Sequence, residues 1–251
     1  MTQADVMNAI IAAIDRGEYR YGDRLPPTRE LANQLGTTQQ TVAAAMTVMA
    51  GMGLVEVQRG WGARIVAGRP SRIRLGRYRS ANREVPTGTT AWKRDTGTEA
   101  ARETPANVRQ ATASEEDADT GIPTGADIVE RTRVRFIDDV PVQHKRTLLT
   151  VESAMLAPEG WTGLPPMMRP EDVPPPDGQS IAQWLGMGVV NVAYDIFVAP
   201  ASADAAQALT VAPGTSCFRI VSKGLKEDGS TAYATITTAS LRSRIGLDIT
   251  Q

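Results

Sequence analysis

Two adjacent glutamines, Gln39 and Gln40, stand where a short helix is predicted to begin, and Ala43, Ala44 and Thr47 follow on the same helical face. A glutamine amide can form two hydrogen bonds with the edge of an adenine, and alanine or a threonine methyl can contact the methyl group of thymine. The hydroxyls of Thr38 and Thr41, with backbone N–H groups at the helix start, are suited to phosphates. This combination predicts a helix that reads the major groove of DNA.

Two neighbouring segments would bring charge to the same surface. Arg29, on the preceding helix, is placed to reach a phosphate or a base. In the turn RGWG, Arg59 supplies charge, while Gly60 and Gly62 allow the backbone to approach a minor groove closely. The predicted DNA-binding residues are Arg29, Thr38, Gln39, Gln40, Thr41, Arg59, Gly60 and Gly62. A pair of glutamines is also an ordinary solvated face, and three-helix units with wings that bind proteins instead remain the alternative.

The spacing of apolar residues predicts the elements that position these side chains. Val6, Ile10 and Ile14 predict a first helix over 4–15. A second helix starts near Thr28, interpreted as its N-cap, and ends at Gly36. A third is capped by Thr37-Thr38, is stopped by Gly51 and Gly53, and buries Val42, Ala45, Met46 and Met49. Two β runs, 54–58 and 63–66, then form a hairpin.

Charge is distributed unevenly along the 251 residues. Residues 1–83 hold twelve arginines, no lysine and six acidic residues, a net charge of +6, whereas the remainder holds 15 basic and 22 acidic residues, a net charge of −7. A basic front half favours a nucleic-acid partner. The length suits two domains: a winged helix-turn-helix over 1–67, a linker over 68–86, and a second domain over 87–251.

The chain has one cysteine, Cys217, and one histidine, His144. A single cysteine excludes an internal disulfide and a multi-cysteine zinc site, and it suits a reducing cytoplasm. Neither residue has a recognisable catalytic partner, so we expect no catalytic residues, no enzyme activity, no metal and no cofactor. The start of the chain lacks the pattern of a signal peptide, and no apolar run is long enough to span a membrane, so we expect a cytoplasmic protein without a membrane partner.

The segment LPPTRELANQLGTTQQTVAAAMTVMAGMGLVEVQRGWG resembles the GntR family of bacterial winged-helix regulators, whose usual pattern runs LPSERELAxxLGVSRxTVRxALxxLxxxGLVxxRxGxGTFV. The likeness covers about residues 5–66. Two positions depart from it: the family's first-turn arginine is Gln39 here, and the arginine after Thr-Val is Ala43. The resemblance therefore implies a DNA-binding regulator whose operator differs from the family's common one.

Residues 126–251 predict an α+β domain with an antiparallel sheet. Strand-like runs cover 127–137, 140–149, 189–198, 216–225 and 231–239, broken by helices at 180–186 and 201–209. Residues 68–86 would contain one short strand, and residues 87–125 a helix over 95–103 and a mobile loop around 113–121. Residues 126–240 resemble the UTRA sensor domain of the HutC subfamily, whose fold is like chorismate lyase, most closely over 193–229.

Alternation along VERTRVRFI places Arg131, Arg133 and Arg135 on one face of a strand, where they could clamp a phosphate or carboxylate. The resemblance implies an effector pocket at Arg133 and Arg135, with Lys145 and Tyr233 at two further pocket positions. Lys145 stands where the subfamily often has glutamate, which favours a more acidic ligand than a phosphosugar. The alternatives are a solvated arginine face that pairs with the surplus acidic residues of the domain, and a Lys145 that points outward.

The sequence therefore favours a homodimeric repressor that binds a double-stranded DNA operator and is released by a small, anionic effector. Two other functions remain open: a constitutive repressor whose second domain only dimerises, and a chorismate-lyase-like enzyme with a DNA-binding appendage. The resemblance to the HutC subfamily also allows a regulator of plasmid transfer genes, and the richness in alanine, arginine and glycine suits a GC-rich genome.

Overall fold

The computed structural model describes residues 1–58, 62–68, 71–75, 91–176 and 178–247. Three helices and a two-stranded hairpin form the N-terminal part, and a seven-stranded antiparallel sheet organises the C-terminal part. Among the helices in these ranges, none has the length and apolar character needed to cross a membrane.

The first three helices pack around one apolar core. They are α1 (Gln3–Asp15), α2 (Thr28–Gln34) and α3 (Gln39–Gly51). The residues of α3 predicted to face inward are all buried: Val42, Ala45, Met46 and Met49. Because this stripe is held against α1 and α2, the opposite side of α3 faces solvent.

The helix boundaries follow capping chemistry with one exception. Thr38 caps α3 as predicted, since its hydroxyl accepts a hydrogen bond from the backbone N–H of Thr41 at 3.1 Å. The prediction that Thr28 caps α2 is wrong: Pro27 occupies the N-cap position and Thr28 is the first helical residue. Thr28 therefore provides no side-chain cap. Gly53 ends the turn after α3 with φ of 67°, a conformation that glycine adopts without strain.

A hairpin follows the helices. Its strands are β1 (Val55–Gln58) and β2 (Gly62–Ile65), which pair in antiparallel register. Leu54 and Ile65 are completely buried in the helical core and attach the hairpin to it. The tip, with Arg59, Gly60 and the adjoining tryptophan, lies outside the described residues.

The C-terminal part is α+β with an antiparallel sheet, as predicted. Its strands are β4 (Ala101–Glu103), β5 (Asn107–Thr112), β6 (Asp127–Ile137), β7 (Val140–Thr150), β8 (Val189–Pro200), β9 (Ser216–Lys226) and β10 (Thr231–Ser240). They are ordered β4-β6-β7-β10-β9-β8, with β5 also beside β6. The helices are α4 (Ala91–Thr96), α5 (Val151–Met155), α6 (Ile181–Trp184) and α7 (Ala203–Leu209). The long loop between α5 and α6 contains a 3-10 turn over Pro166–Met168.

The segment before β6 departs from the prediction. The helix over 95–103 is wrong, because α4 ends at Thr96 and residues 101–103 are strand β4. The loop expected around 113–121 is a 3-10 helix over Glu115–Thr120, closed by mutual hydrogen bonds between Ser114 and Asp117. Arg146 of the sheet donates a hydrogen bond to the carboxylate of Asp117 at 2.9 Å. An ion pair with a distant strand thus orders this acidic segment.

Part of the predicted linker is a strand. β3 (Arg72–Leu75) pairs in parallel with β11 (Arg244–Leu247), the last strand of the described chain. Ile73 and Leu75 of β3 pack with Ile220 of the large sheet. This short parallel pair attaches the segment that leaves the hairpin to the C-terminal domain.

Side chains also join the two domains directly. Arg242 donates a hydrogen bond to the carbonyl of Gly68 at 3.0 Å and forms an ion pair with Asp15 at the end of α1. The hydroxyls of Tyr21 and Thr210 lie 3.0 Å apart. The helical domain therefore contacts the sheet domain through both ionic and neutral polar groups.

Candidate DNA-reading face and candidate ligand face

One side of α3 is free of packing, and we call it the reading face. All five residues predicted to face outward are exposed: Gln39, Gln40, Ala43, Ala44 and Thr47. The helix contains no charged residue. Specificity for DNA would therefore come from amide and methyl groups, and charge from the surrounding elements.

The start of α3 holds the two hydroxyls predicted to bind phosphate. The Oγ1 atoms of Thr38 and Thr41 lie 2.9 Å apart and share one hydrogen bond. Only one of the two protons is used in that bond, so one hydroxyl keeps a proton for a phosphate oxygen. The structure thus leaves one of the two predicted donors available without rearrangement.

Of the remaining predicted contacts, the structure describes Arg29 on α2 and Gly62 on β2. Arg29 is exposed at the second position of α2 and makes no ion pair or hydrogen bond within the described ranges. Gly62 opens β2 with φ of 84°, which explains a glycine at this position. Sequence reasoning missed Gln3, whose side-chain amide donates a hydrogen bond to the carbonyl of Ala44 at 3.2 Å and so attaches the start of the chain to the edge of α3.

The second candidate site is one face of the large sheet, which we call the arginine face. The register pairs Arg133 with Lys145, and Lys145 with Thr237. Directly paired residues of antiparallel strands share a face. The members of the face on these three strands are Arg131, Arg133, Arg135, Gln143, Lys145, Thr147, Thr235 and Thr237. Lys145 and the three threonines are partly buried, so this face carries hydroxyl groups and one ammonium.

Each of the three arginines has an internal partner. Arg131 donates hydrogen bonds to the carbonyls of Met167 and Arg169 at 2.6 and 2.5 Å. Arg133 forms a two-pronged ion pair with Asp172, with both nitrogen–oxygen distances 2.6 Å. The prediction that the arginines share a face is thus consistent with the register. The Arg131 and Arg133 side chains are only 5% and 11% exposed, so they are not solvated. Arg133 and Arg135 do pair with acidic residues, Asp172 and Glu103, as the alternative expected.

Arg135 closes one end of the arginine face. Its Nε donates to the carboxylate of Glu103 at 3.0 Å, and its guanidinium lies over the ring of Trp92, 4.9 Å from the ring centre. A further contact joins Arg135 to the side-chain oxygen of Gln143 at 3.4 Å. The amide nitrogen of Gln143 is buried and has no hydrogen-bond partner among the described residues.

Lys145 faces the arginines and does not point outward. Its ammonium makes no hydrogen bond or ion pair within the part of the chain that the structure describes. Burial, followed by the charges of Arg135 and Arg133, lowers the pKa of Lys145 to about 7, and the carboxylates of Glu103 and Asp172 only partly oppose this. A cation placed in this way is available to an anionic ligand.

Tyr233 is separated from this group. It is 8% exposed and packs in an apolar cluster with Leu149 and Ala182, next to α6. Its ring lies over Gly224, where an added Cβ would collide with it. Tyr233 lines the far end of the same face and does not lie next to Arg133. The side chains that lie next to Arg133 are those of Asp172 and Glu103. Neither acid was predicted, because Asp172 comes from the proline-rich loop and Glu103 from a segment interpreted as helix.

His144 and Cys217 belong to the opposite face. Burial raises the pKa of the Cys217 thiol to about 11, and the side chain packs in an apolar cluster with residues of α7. Burial, and then the charge of Arg146, lowers the pKa of His144. Within the described residues, no group of three or more histidine, cysteine or acidic side chains is placed to hold a metal ion.

The N-terminal architecture defines a class of protein: two short helices, of which the second has a solvent-facing side, followed by an antiparallel hairpin, form a winged helix-turn-helix. Residues 2–65 match the family model described as bacterial regulatory proteins, gntR family. This part of the chain is therefore a GntR-family helix-turn-helix domain. No match to the chain is found among curated proteins.

Solved structures resemble the chain over nearly its whole length. A protein provisionally assigned as a GntR-family transcriptional regulator is 20% identical, with a TM-score of 0.50, over 99% of this chain and 97% of its own. PhnF from Mycobacterium smegmatis is 19% identical, with a TM-score of 0.47, over 98% of this chain and 99% of its own. Because the sequence identity is only 20%, the similarity to the first of these structures shows a shared two-domain fold and nothing about function.

Proposed function

We propose that this protein is a sequence-specific DNA-binding transcriptional repressor that reads its operator with α3 and leaves it when a small anion binds the arginine face. The observation that carries the first part is the reading face, which is exposed in a domain that matches a family of bacterial regulators. Its two glutamines and two alanines supply the groups that distinguish A·T pairs in the major groove.

The C-terminal part is proposed as the sensor, of the UTRA type found in the HutC subfamily. The hydroxyl groups and the ammonium of this partly buried sheet face, with arginines at its edge, suit a small polar anion. The contacts of Arg242 with Gly68 and Asp15 offer a physical route from this domain to the helices. Binding at the arginine face would alter the domain arrangement and so lower DNA affinity.

We propose that the repressor is a homodimer joined along β8. This strand has twelve residues and lies at the end of the sheet order, with β9 its one partner among the described strands. Four large apolar side chains on it are exposed: Val190, Ile196, Phe197 and Val198. An exposed apolar edge is a template for pairing with another strand. We propose that β8 pairs with β8 of a second copy of this chain, because a symmetric dimer would place its two reading faces on the two half-sites of a palindromic operator. We propose that this dimer acts in the cytoplasm.

The test is fluorescence anisotropy with duplex DNA from the region upstream of the gene, beside a scrambled duplex, at two salt concentrations. We expect tighter binding to the natural duplex and a steep loss with salt, because phosphate contacts release counterions. Equal, weak binding to both duplexes would contradict a local operator.

A glutamine variant locates the contact. Gln40→Ala should weaken binding to the natural duplex by roughly fivefold to a hundredfold, the equivalent of one bidentate base contact. Gln207→Ala, which changes an exposed glutamine on α7, is the matched control and should bind normally. Equal loss in both variants would show that the effect does not arise from base recognition.

A further inference from the structure

Asp172 lies at the opening of the arginine face. It comes from the long loop between α5 and α6 and not from the sheet. Its carboxylate oxygens accept hydrogen bonds from Nη1 and Nη2 of Arg133, both at 2.6 Å, and a longer one from Arg131 at 3.3 Å. The Asp172 side chain is 56% exposed, whereas that of Arg133 is 11% exposed. A solvent-facing acid from a loop thus covers a mostly buried arginine.

This arrangement is the one that a bound carboxylate or phosphate ligand would adopt. Arginine prefers two parallel bonds to a planar acid or to a phosphate. Burial alone would raise the pKa of Asp172, but the hydrogen bonds and charge of Arg133 outweigh it and hold that pKa below its usual value. Asp172 is therefore ionised at neutral pH and occupies the anion position.

The loop is also attached independently of Asp172. Arg131 holds the loop through the carbonyls of Met167 and Arg169, and these bonds do not involve the carboxylate. Prolines on both sides of Asp172, at 170 and 174–176, restrict the backbone. The base of the loop is therefore held by contacts other than the ion pair between Asp172 and Arg133.

Positive charge near Asp172 is only partly balanced. Among the described residues, the face holds Arg131, Arg133, Arg135 and Lys145 against two acids, Glu103 and Asp172. Lys145 makes no ion pair within the described residues, although Asp172 lies close enough to influence its charge. The carboxylate of Asp172 thus forms an ion pair with Arg133, while Lys145 has no direct partner among the described residues.

We propose that Asp172 is an internal substitute for the ligand, and that the ligand is a small dianion that displaces Asp172 from Arg133 and also pairs with Lys145. The inference rests on the proposed sensor function and specifies its ligand class and its competitor. A dianion fits better than a single carboxylate, because it can neutralise both cations. Displaced Asp172 moves towards solvent, where a free carboxylate costs little.

Inorganic sulfate is a suitable probe because it stays a dianion across the neutral range. Titration calorimetry at constant ionic strength would compare the whole wild-type chain with Asp172→Asn. Removing the competing charge should tighten sulfate binding about tenfold. Glu171→Gln is the matched control, since this exposed neighbour on the same loop contacts only Arg169 among the described residues, at 4.0 Å, and should leave the affinity unchanged.

A second measurement uses the unaltered protein. Glutamyl endopeptidase cleaves after glutamate, so the Glu171–Asp172 bond reports whether the loop segment is held. Saturating sulfate should accelerate cleavage at this bond relative to an equal ionic strength of chloride, because Asp172 is released from Arg133. Unchanged or slower cleavage would overturn the displacement.

The outcomes separate the inference from the function on which it rests. Sulfate binding that is lost in Arg133→Gln but equal in wild type and Asp172→Asn would overturn the inference and leave the anion site standing. Failure of all variants, including Asp172→Asn, to bind sulfate would overturn both. Tighter binding by Asp172→Asn, lost again when Arg133→Gln is added, is the result we expect.

Discussion

Arg133 and Lys145 are direct cross-strand partners in the register of β6 and β7, so two cations stand side by side on one face of the sheet. Like charges in this position destabilise a sheet unless an anion lies between them. Asp172 supplies that anion to Arg133 with two short hydrogen bonds, but Lys145 has none within the described residues. The adjacency of Arg133 and Lys145 therefore lowers the stability of the ligand-free protein and favours the binding of an anionic ligand.

Replacing Lys145 should therefore stabilise the fold. The pKa of Lys145 is about 7 in the folded protein, below its ordinary value of 10.5. The unfolded chain binds more protons between these two values, so the wild-type free energy of unfolding gains a favourable contribution as pH rises through this range. Lys145→Met removes the charged group and with it this pH dependence.

Denaturant unfolding at pH 6 and pH 9 measures the effect. Lys145→Met should be more stable than wild type at pH 6, with a smaller difference at pH 9. The charged groups that act on Lys145 are Arg133, Arg135, Glu103 and Asp172, and all four are present in both proteins, so the comparison isolates Lys145. The same gain at both pH values would show that Lys145 does not titrate there.

A charge on the sheet edge should separate the proposed dimer. Ile196 on β8 is 44% exposed, and Ile196→Lys would place an ammonium in the proposed interface. Sedimentation should show monomers for this variant and dimers for wild type. Leu164→Lys is the matched control, because Leu164 is 62% exposed but lies on the loop after α5. A dimer that survives Ile196→Lys would place the interface elsewhere.

Arg29 should act through phosphate and not through sequence. Arg29→Ala should weaken binding to operator and scrambled DNA by similar factors and reduce the slope of log affinity against log salt by about 1. Arg102→Ala removes an exposed arginine of the sheet domain, whose side chain is 51% exposed, and should leave the slope unchanged. A loss confined to the operator would instead indicate that Arg29 contacts a base.

Arg242 should be needed for communication between the domains. Arg242→Gln removes the ion pair with Asp15 and weakens the bond to the Gly68 carbonyl. We expect DNA and sulfate each to bind nearly as in wild type, while sulfate no longer changes the DNA affinity. Anisotropy titrations with and without sulfate measure this, with Arg244→Gln on β11, an exposed residue, as the control. A full sulfate effect in Arg242→Gln would exclude this contact as the route.

Local patterns predicted the helices and the long strands well. The spacing of apolar residues predicted the buried face of α3, and the alternation of residues predicted β6 with its observed bounds. Both signals depend only on residues that are close in sequence. The segment before β6 could not be predicted in this way. β4 is three residues long and is held by pairing with β6, and the capped turn at 115–120 is held by Arg146 from β7.

The candidate sites were predictable to different degrees. The exposure of the five residues on the reading face follows from the period of one helix and agrees with the prediction. On the arginine face, Arg133, Arg135 and Lys145 were identified, but Asp172 was not, since it reaches Arg133 across 39 positions of the chain. Long-range ion pairs depend on how a loop folds over the sheet, and no local periodicity reports that.

Selection of duplexes from a random library by the purified full-length protein tests the central claim most directly, because the operator sequence need not be known in advance. We predict enrichment of an inverted repeat with half-sites about one helical turn apart and adenines that Gln39→Ala and Gln40→Ala no longer select. Recovery of a pool without any enriched sequence would contradict the proposal that α3 reads DNA.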